Sequence, residues 1–198
     1  MVNPPKPHIV GIGGTNRAGS SSERLVRAVL AQTEILGART TMIGGLELLA
    51  LPHFAPEEPS RTSEQASFVN AVRSADGLVI GSPGYHGGVS GLVKNAIDLL
   101  EDTNRDERAY FDGIAVGLVV SAAGWQAGGV TLSALRSIVH AMRGWPTPVG
   151  IAINTVAQRP FDEHGVIVDE TIASAVKAQA TQIMRMALAP SASVLATS

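Results

Sequence analysis

Residues 8–37 read HIVGIGGTNRAGSSSERLVRAVLAQTEILG, three structural signals in a row. His8 to Gly13 is a short apolar run ended by glycine, the pattern of a buried strand. Ser20 to Leu36 places Leu25, Val26, Val29, Leu30 and Ile35 at spacings of three and four, which predicts an amphipathic helix. Ser20, Ser21 and Ser22 are N-cap candidates, Glu23 sits in the first turn, and Gly37 is the stop signal. A buried strand that feeds a helix through a glycine-rich loop is the repeating unit of an α/β protein.

The unit recurs along the chain. Ala38–Ile43 is β-branched and reads as a second strand, and Pro52, Pro56 and Pro59 mark a loop after it. Ser63–Ala75 reads as a helix, Leu78–Gly81 as a third strand, Gly91–Glu101 as a helix and Ile114–Val120 as a fourth strand. Val130–Met142 is a helix, Pro148–Ile153 a fifth strand, and Gly165 marks a hairpin or excursion near 159–169. Asp169–Leu188 is the last helix. Strands that are apolar throughout and alternate with helices imply a parallel sheet covered on both faces. Right-handed crossovers make it a doubly wound three-layer sandwich. No linker or repeat divides the chain, so 1–189 is expected to be one domain and 190–198 a mobile tail.

Composition agrees. At 198 residues the chain is of single-domain size and should bury about 70% of its unfolded surface. Apolar residues make up 45% and charged residues 16%, which excludes disorder over most of the length. Net charge is −2, from 15 basic and 17 acidic residues, so no basic surplus exists to bind nucleic acid or anionic lipid. Cysteine is absent, which excludes disulfide scaffolds and thiol catalysis and fits a reducing, cytoplasmic setting. The N-terminal MVNPPKPHIV has no signal-peptide pattern, and no run of about 20 apolar residues predicts a membrane span.

Many of the 21 glycines cluster after strands one, three and four. In a sheet of order 2-1-3-4-5 those strands are adjacent, and their loops meet where such sheets bind ligands, beyond the carboxyl ends of the strands. The first loop, Gly13-Gly14-Thr15-Asn16-Arg17-Ala18-Gly19-Ser20-Ser21-Ser22, lacks the Gly-Lys-Ser/Thr of a P-loop. Gly11 and Gly13 match a dinucleotide fingerprint, but Asn16 stands at its third glycine. What remains is a hydroxyl-rich turn opening a helix, with one arginine. Helix amides, hydroxyls and a guanidinium together suit a terminal phosphate. The serines alone serve equally well as helix caps.

The second loop is Ser82-Pro83-Gly84-Tyr85-His86-Gly87-Gly88-Val89-Ser90-Gly91, followed by Leu92-Val93-Lys94-Asn95-Ala96-Ile97-Asp98. It resembles the S-P-x-Y-x-G-x-x-x-G-x-x-K-N-A-I-D signature of the NADPH-dependent FMN reductase family. The first loop resembles that family's G-S-x-R-x-G-S-x-N turn, with Thr15 at the first hydroxyl, Arg17, Gly19 and Ser20 matching, and Ser22 in place of asparagine. The resemblance implies a flavodoxin-like fold with a five-stranded sheet in order 2-1-3-4-5. It implies FMN with its phosphate at Thr15, Arg17, Ser20, Ser21 and Ser22. The isoalloxazine would lie against Pro83, Gly84, Tyr85, His86 and Gly87, with Ser121 and Gly124 of the third loop at its pyrimidine end.

Tyr85 packs on the ring or at a subunit contact on this reading, and His86 stands where the family often has asparagine. Trp125 shields the flavin, lines the nicotinamide site or packs between subunits. Lys94, Asn95 and Asp98 read as structural, and Arg105–Arg108 as an exposed connection. The five histidines lack metal-ligand spacing, and no G-x-S-x-G elbow occurs. The expected activity is an NAD(P)H-dependent FMN reductase that passes hydride from NADPH or NADH to flavin. Electrons then go to a free flavin, a quinone, an azo compound, a metal oxyanion or a two-component oxygenase partner. No catalytic side chain is named. The resemblance also implies a homodimer or a dimer of dimers. A non-enzymatic flavodoxin-like carrier is the alternative, disfavoured by the weak net charge, and a flavin-binding redox sensor is another.

Overall fold

The computed structural model describes residues 5–189, so the tail expected over 190–198 lies outside the described residues. Six strands form the sheet: β1 (His8–Gly13), β2 (Arg39–Ile43), β3 (Gly77–Tyr85), β4 (Gly88–Val89), β5 (Ala115–Ala122) and β6 (Trp145–Asn154). The order is β2-β1-β3-β5-β6, all parallel, with β4 pairing antiparallel on β3. This is the flavodoxin-like 2-1-3-4-5 order with one short hairpin strand inserted into the count.

Among the described residues six α-helices flank the sheet: α1 (Ser21–Ile35), α2 (Gly45–Leu49), α3 (Ser63–Arg73), α4 (Gly91–Asp98), α5 (Trp125–Ala141) and α6 (Glu170–Ala187). A 3-10 turn, Leu99–Thr103, continues α4. Alternate strand residues divide the core. Ile9, Val79 and Val119 pack with Leu25, Val26 and Val29 of α1 and with Val176 and Ile183 of α6. Val10, Ile12, Leu78, Ile80 and Leu118 pack on the other face with Phe68, Val72, Val93 and Leu135 of α3, α4 and α5. Among the described residues no helix is long and apolar enough to cross a membrane.

Four local departures have physical causes. Helix α2 is five residues long, too short to show periodicity. Strand β3 runs on through Ser82 and Pro83 to Tyr85, because Pro83 still pairs with Ser121 of β5 and the chain then folds back as β4. Helix α5 begins at Trp125 rather than Val130, so much of the third loop is helix. Glycine disfavours helix by about 1 kcal/mol per residue, which is why Gly128 and Gly129 read as loop although α5 runs through them. Arg108 is half-buried rather than exposed: it donates to the carbonyls of Val72, Arg73 and Ala75, satisfying the end of α3. Burial holds its pKa below the usual arginine value.

The start of β6 bulges against β5, where Val116 pairs with Pro146 but Leu118 pairs with Gly150. Side chains satisfy the displaced backbone. Arg136 donates to the carbonyls of Thr147 and Pro148 at 3.3 and 3.1 Å. The Gln179 amide donates to Leu118 and Val149 at 3.1 and 2.8 Å, and Gln182 accepts from the Val149 N–H at 3.0 Å.

Candidate functional site

The carboxyl ends of β1, β3, β5 and β6 meet at one cavity of about 240 Å³. Its lining brings together Thr15, Arg17, Ser20 and Ser21 from the first loop, Pro83, Gly84 and Tyr85 from the end of β3, and Ser121 after Val120 in β5. Ala122, Ala123 and Thr155 complete it. Thr155 was not among the expected site residues, although it follows the last strand at the same edge of the sheet, where ligand contacts concentrate. It is held there by its N–H and hydroxyl, which both donate to the Ala122 carbonyl at 2.8 and 3.3 Å.

The first loop is braced on itself. Thr15 Oγ1 accepts from the Arg17 N–H at 3.1 Å and faces the Arg17 carbonyl at 3.3 Å. That turn leaves the Arg17 guanidinium exposed and outside every ion pair among the described residues. Gly45, the first residue of α2, presses on the same loop: a Cβ there would lie 1.7 Å from the Thr15 carbonyl oxygen. Only glycine permits that approach.

Ser20 is the N-cap of α1, and its Oγ accepts from the Glu23 N–H at 3.5 Å. Ser22, also expected at the site, is fully buried, and its hydroxyl lies 3.4 Å from that of Ser20. Its side chain braces the cap and does not line the cavity. The amides of Ser20, Ser21 and Ser22 head the helix with no acceptor among the described residues. Ser20 and Ser21, but not Ser22, border the cavity together with Arg17.

The second loop forms the wall. Ser82 Oγ is buried, donates to the Pro83 carbonyl at 2.8 Å and accepts from the Ser90 N–H at 3.0 Å, which locks the hairpin across its neck. His86 (φ 52°) and Gly87 (φ 77°) are the two residues of the turn between β3 and β4. Both have positive φ, the requirement of the tight hairpin turn that favours asparagine and glycine. His86 is thus exposed at a turn tip, and neither it nor Gly87 lines the cavity. Gly84 does line it, but the space its missing side chain leaves belongs to α5: a Cβ would lie 2.9 Å from Thr131 Oγ1 and 3.2 Å from the Ala127 carbonyl. Tyr85 is 56% exposed. It also borders a second cavity of about 290 Å³, lined with Thr15, Asn16, Leu49, Pro83, Ser90, Gly91 and Leu92.

Gly124 is the N-cap of α5 without a side-chain bond, and neither it nor the exposed Trp125 borders these cavities. Asn95 is structural: it accepts from the Phe54 N–H at 2.8 Å and donates to the Pro52 carbonyl at 3.1 Å, while Lys94 pairs with Asp98 at 2.7 Å. A larger groove of about 480 Å³ lies between α2 and α3. Its charged lining groups are Glu47 and Glu64, a lining that disfavours an anion.

Comparisons with known proteins bear on the family through the sequence and on the fold through solved structures. The family model described as NADPH-dependent FMN reductase matches residues 7–158. An FMN-dependent NADPH-azoreductase of Staphylococcus haemolyticus (strain JCSC1435) is 35% identical over 103 residues, 52% of this chain and 51% of that protein. The FMN-dependent NADPH-azoreductase of Staphylococcus aureus (strain USA300) is 42% identical over 79 residues, 40% of this chain and 38% of that protein. The chain thus matches about half or less of the length of these curated relatives. A flavoenzyme NAD(P)H:(acceptor) oxidoreductase from Paracoccus denitrificans superposes with a TM-score of 0.71 at 18% identity, covering 91% of this chain and 98% of that one. That likeness shows a shared fold.

Proposed function

Because the chain belongs to the NADPH-dependent FMN reductase family, we propose that it is an FMN-dependent NAD(P)H oxidoreductase acting on a small flat acceptor. One observation carries the reading. The open head of α1, with Arg17, and the Pro83–Tyr85 wall face the same cavity at the carboxyl edge of the sheet.

The residues present fit FMN. A phosphate would find the Ser20 and Ser21 amides, the hydroxyls of Thr15, Ser20 and Ser21, and the Arg17 guanidinium. The wall of Pro83, Gly84 and Tyr85 offers backbone and one aromatic ring to a planar group, and the small Ser121, Ala122 and Ala123 leave room beside it. Bound FMN supplies acceptance of hydride from the nicotinamide and delivery of electrons to the acceptor. Among the described residues the cavity lining contains no carboxylate, imidazole or amine. The protein's part is therefore to bind and position: Arg17 offers its charge to the phosphate, the locked hairpin fixes the wall, and Tyr85 stands between this cavity and its neighbour. That neighbour, lined by Leu49, Pro83, Tyr85 and Leu92, suits a nicotinamide or a flat aromatic acceptor. The names of the curated relatives make an azo compound the first acceptor to test.

The test is anaerobic reduction of protein supplied with excess FMN, by NADPH and in parallel by NADH, followed at the oxidised-flavin absorbance band. Bleaching, then recovery on adding an azo dye with loss of the dye colour, is the expected outcome. A bound flavin that neither nucleotide bleaches overturns the reading in favour of an electron carrier.

A further inference from the structure

Ser20-Ser21-Ser22-Glu23 has the spacing of a capping box, in which the fourth residue's side chain reaches back to the N–H of the cap. In α1 only half of the box forms. The Glu23 N–H donates to Ser20 Oγ, but the Glu23 carboxylate does not accept from the Ser20 N–H. It turns the other way. Arg27, one turn on, donates from Nε at 3.0 Å and from Nη2 at 2.7 Å to Glu23 Oε1. The carboxylate is nearly enclosed, its side chain 8% exposed, between the backbones of Gly14 and Gly44. A Cβ on Gly14 would lie 3.2 Å from Glu23 Oε2, and one on Gly44 would lie 3.3 Å from Oε1. Glu23 therefore sits directly under the first loop.

We propose that Arg27 is a positioning residue that keeps the phosphate cradle open by holding the Glu23 carboxylate away from the head of its own helix. This rests on the FMN reading above. Two physical effects act together. A buried carboxylate stripped of its partner seeks donors, and the free amides nearest in sequence are those of Ser20 and its neighbours, at capping-box range. Glu23 would then occupy the donors that the phosphate needs, acting as a built-in competitor. The ion pair also neutralises a negative charge beneath the place where a dianion binds. Arg27 need not touch FMN for either effect.

The experiment measures dissociation constants for FMN and riboflavin by flavin fluorescence quenching, with circular dichroism confirming the fold of each variant. Riboflavin lacks the phosphate and reports the rest of the site. Arg27→Gln is expected to weaken FMN about tenfold, the scale of one charge-assisted contact, and to leave riboflavin unchanged. Glu23→Gln/Arg27→Gln should restore FMN to within about threefold of wild type, because the competitor is gone. Arg27→Lys, which keeps one bond to Glu23, should stay close to wild type. An Arg27→Gln variant that binds FMN like wild type overturns the proposal. So does a double variant as weak as the single one, since that marks Arg27 as a direct contact, or a parallel loss of riboflavin, which marks a structural role. A wild type that binds riboflavin as tightly as FMN overturns the phosphate reading itself, and the proposal with it.

Discussion

Two helices of this molecule begin with the same four-residue grammar and end in opposite states. Thr62-Ser63-Glu64-Gln65 opens α3, and its box is closed: the Gln65 N–H donates to Thr62 Oγ1 at 3.3 Å and the Thr62 N–H donates to Gln65 Oε1 at 3.0 Å. Ser20-Ser21-Ser22-Glu23 opens α1, and Arg27 draws the fourth side chain away. At the first helix end the fourth side chain takes up the cap's own N–H, and the end borders a groove whose charged groups are carboxylates. At the second the cap's N–H, that of Ser20, has no acceptor among the described residues, and the end lies beside Arg17 at the carboxyl edge of the sheet. A helix N-terminus becomes a binding element when tertiary contacts stop its own side chains from completing the cap.

The comparison can be broken most severely at Gly45. Gly45→Ala sets a methyl 1.7 Å from the Thr15 carbonyl, so α2 or the first loop must move. We expect a loss of about 2–3 kcal/mol, the range of overpacking, seen as a lower midpoint in urea, together with loss of FMN binding. Unchanged stability would show that the loop is not held by α2.

Arg17→Ala comes next. The FMN dissociation constant should rise about 10- to 150-fold, equivalent to the roughly 1.5–3 kcal/mol of a hydrogen bond to a charged group, with riboflavin unaffected. Calorimetric titration of both flavins checks this, and equal FMN affinity would remove Arg17 from the site. At the closed end, Thr62→Ala should cost about 1 kcal/mol of stability and leave FMN affinity alone. Weaker FMN binding in that variant would mean that the two ends are not independent.

The smallest effect is one of pH. His8, buried at the start of β1, bonds Thr41 Oγ1 at 2.8 Å and faces the carbonyl of Ser74, the C-cap of α3, at 3.3 Å. Burial, then the nearby Arg39, holds its pKa below the usual 6.5. Below that value the unfolded chain binds a proton that the folded chain resists. Stability is therefore full above pH 6.5 and declines as the pH falls from there towards the lower folded value. Urea midpoints between pH 7.5 and 5.5 should show this slope, and His8→Gln should flatten it.

Much of the candidate site's lining was legible because it lies in short loops whose residue types speak for themselves. Thr15, Arg17, Ser20, Ser21, Pro83, Gly84, Tyr85 and Ser121 do meet in one cavity. Ser22, His86, Gly87 and Gly124 stand outside it for reasons that spacing does not contain: a buried brace, two residues of a turn tip and a helix cap. Gly84 reads as room for a ligand, yet its spare volume is taken by Thr131 and Ala127 of α5, a helix that the sequence reading started five residues too late. Thr155 escaped notice because one threonine after a strand carries no pattern.

The sequence by itself determined the alternation of apolar strands and amphipathic helices, and with it a covered parallel sheet. It placed glycine at the loops that end β1 and β3, because burial and turn geometry act over a few neighbouring residues. The tertiary structure alone decided which of two similar helix ends is open. That depends on the direction taken by one carboxylate, Glu23, once Gly14 and Gly44 close around it and Arg27 holds it there. Local spacing allows a side chain several partners, and packing leaves it one.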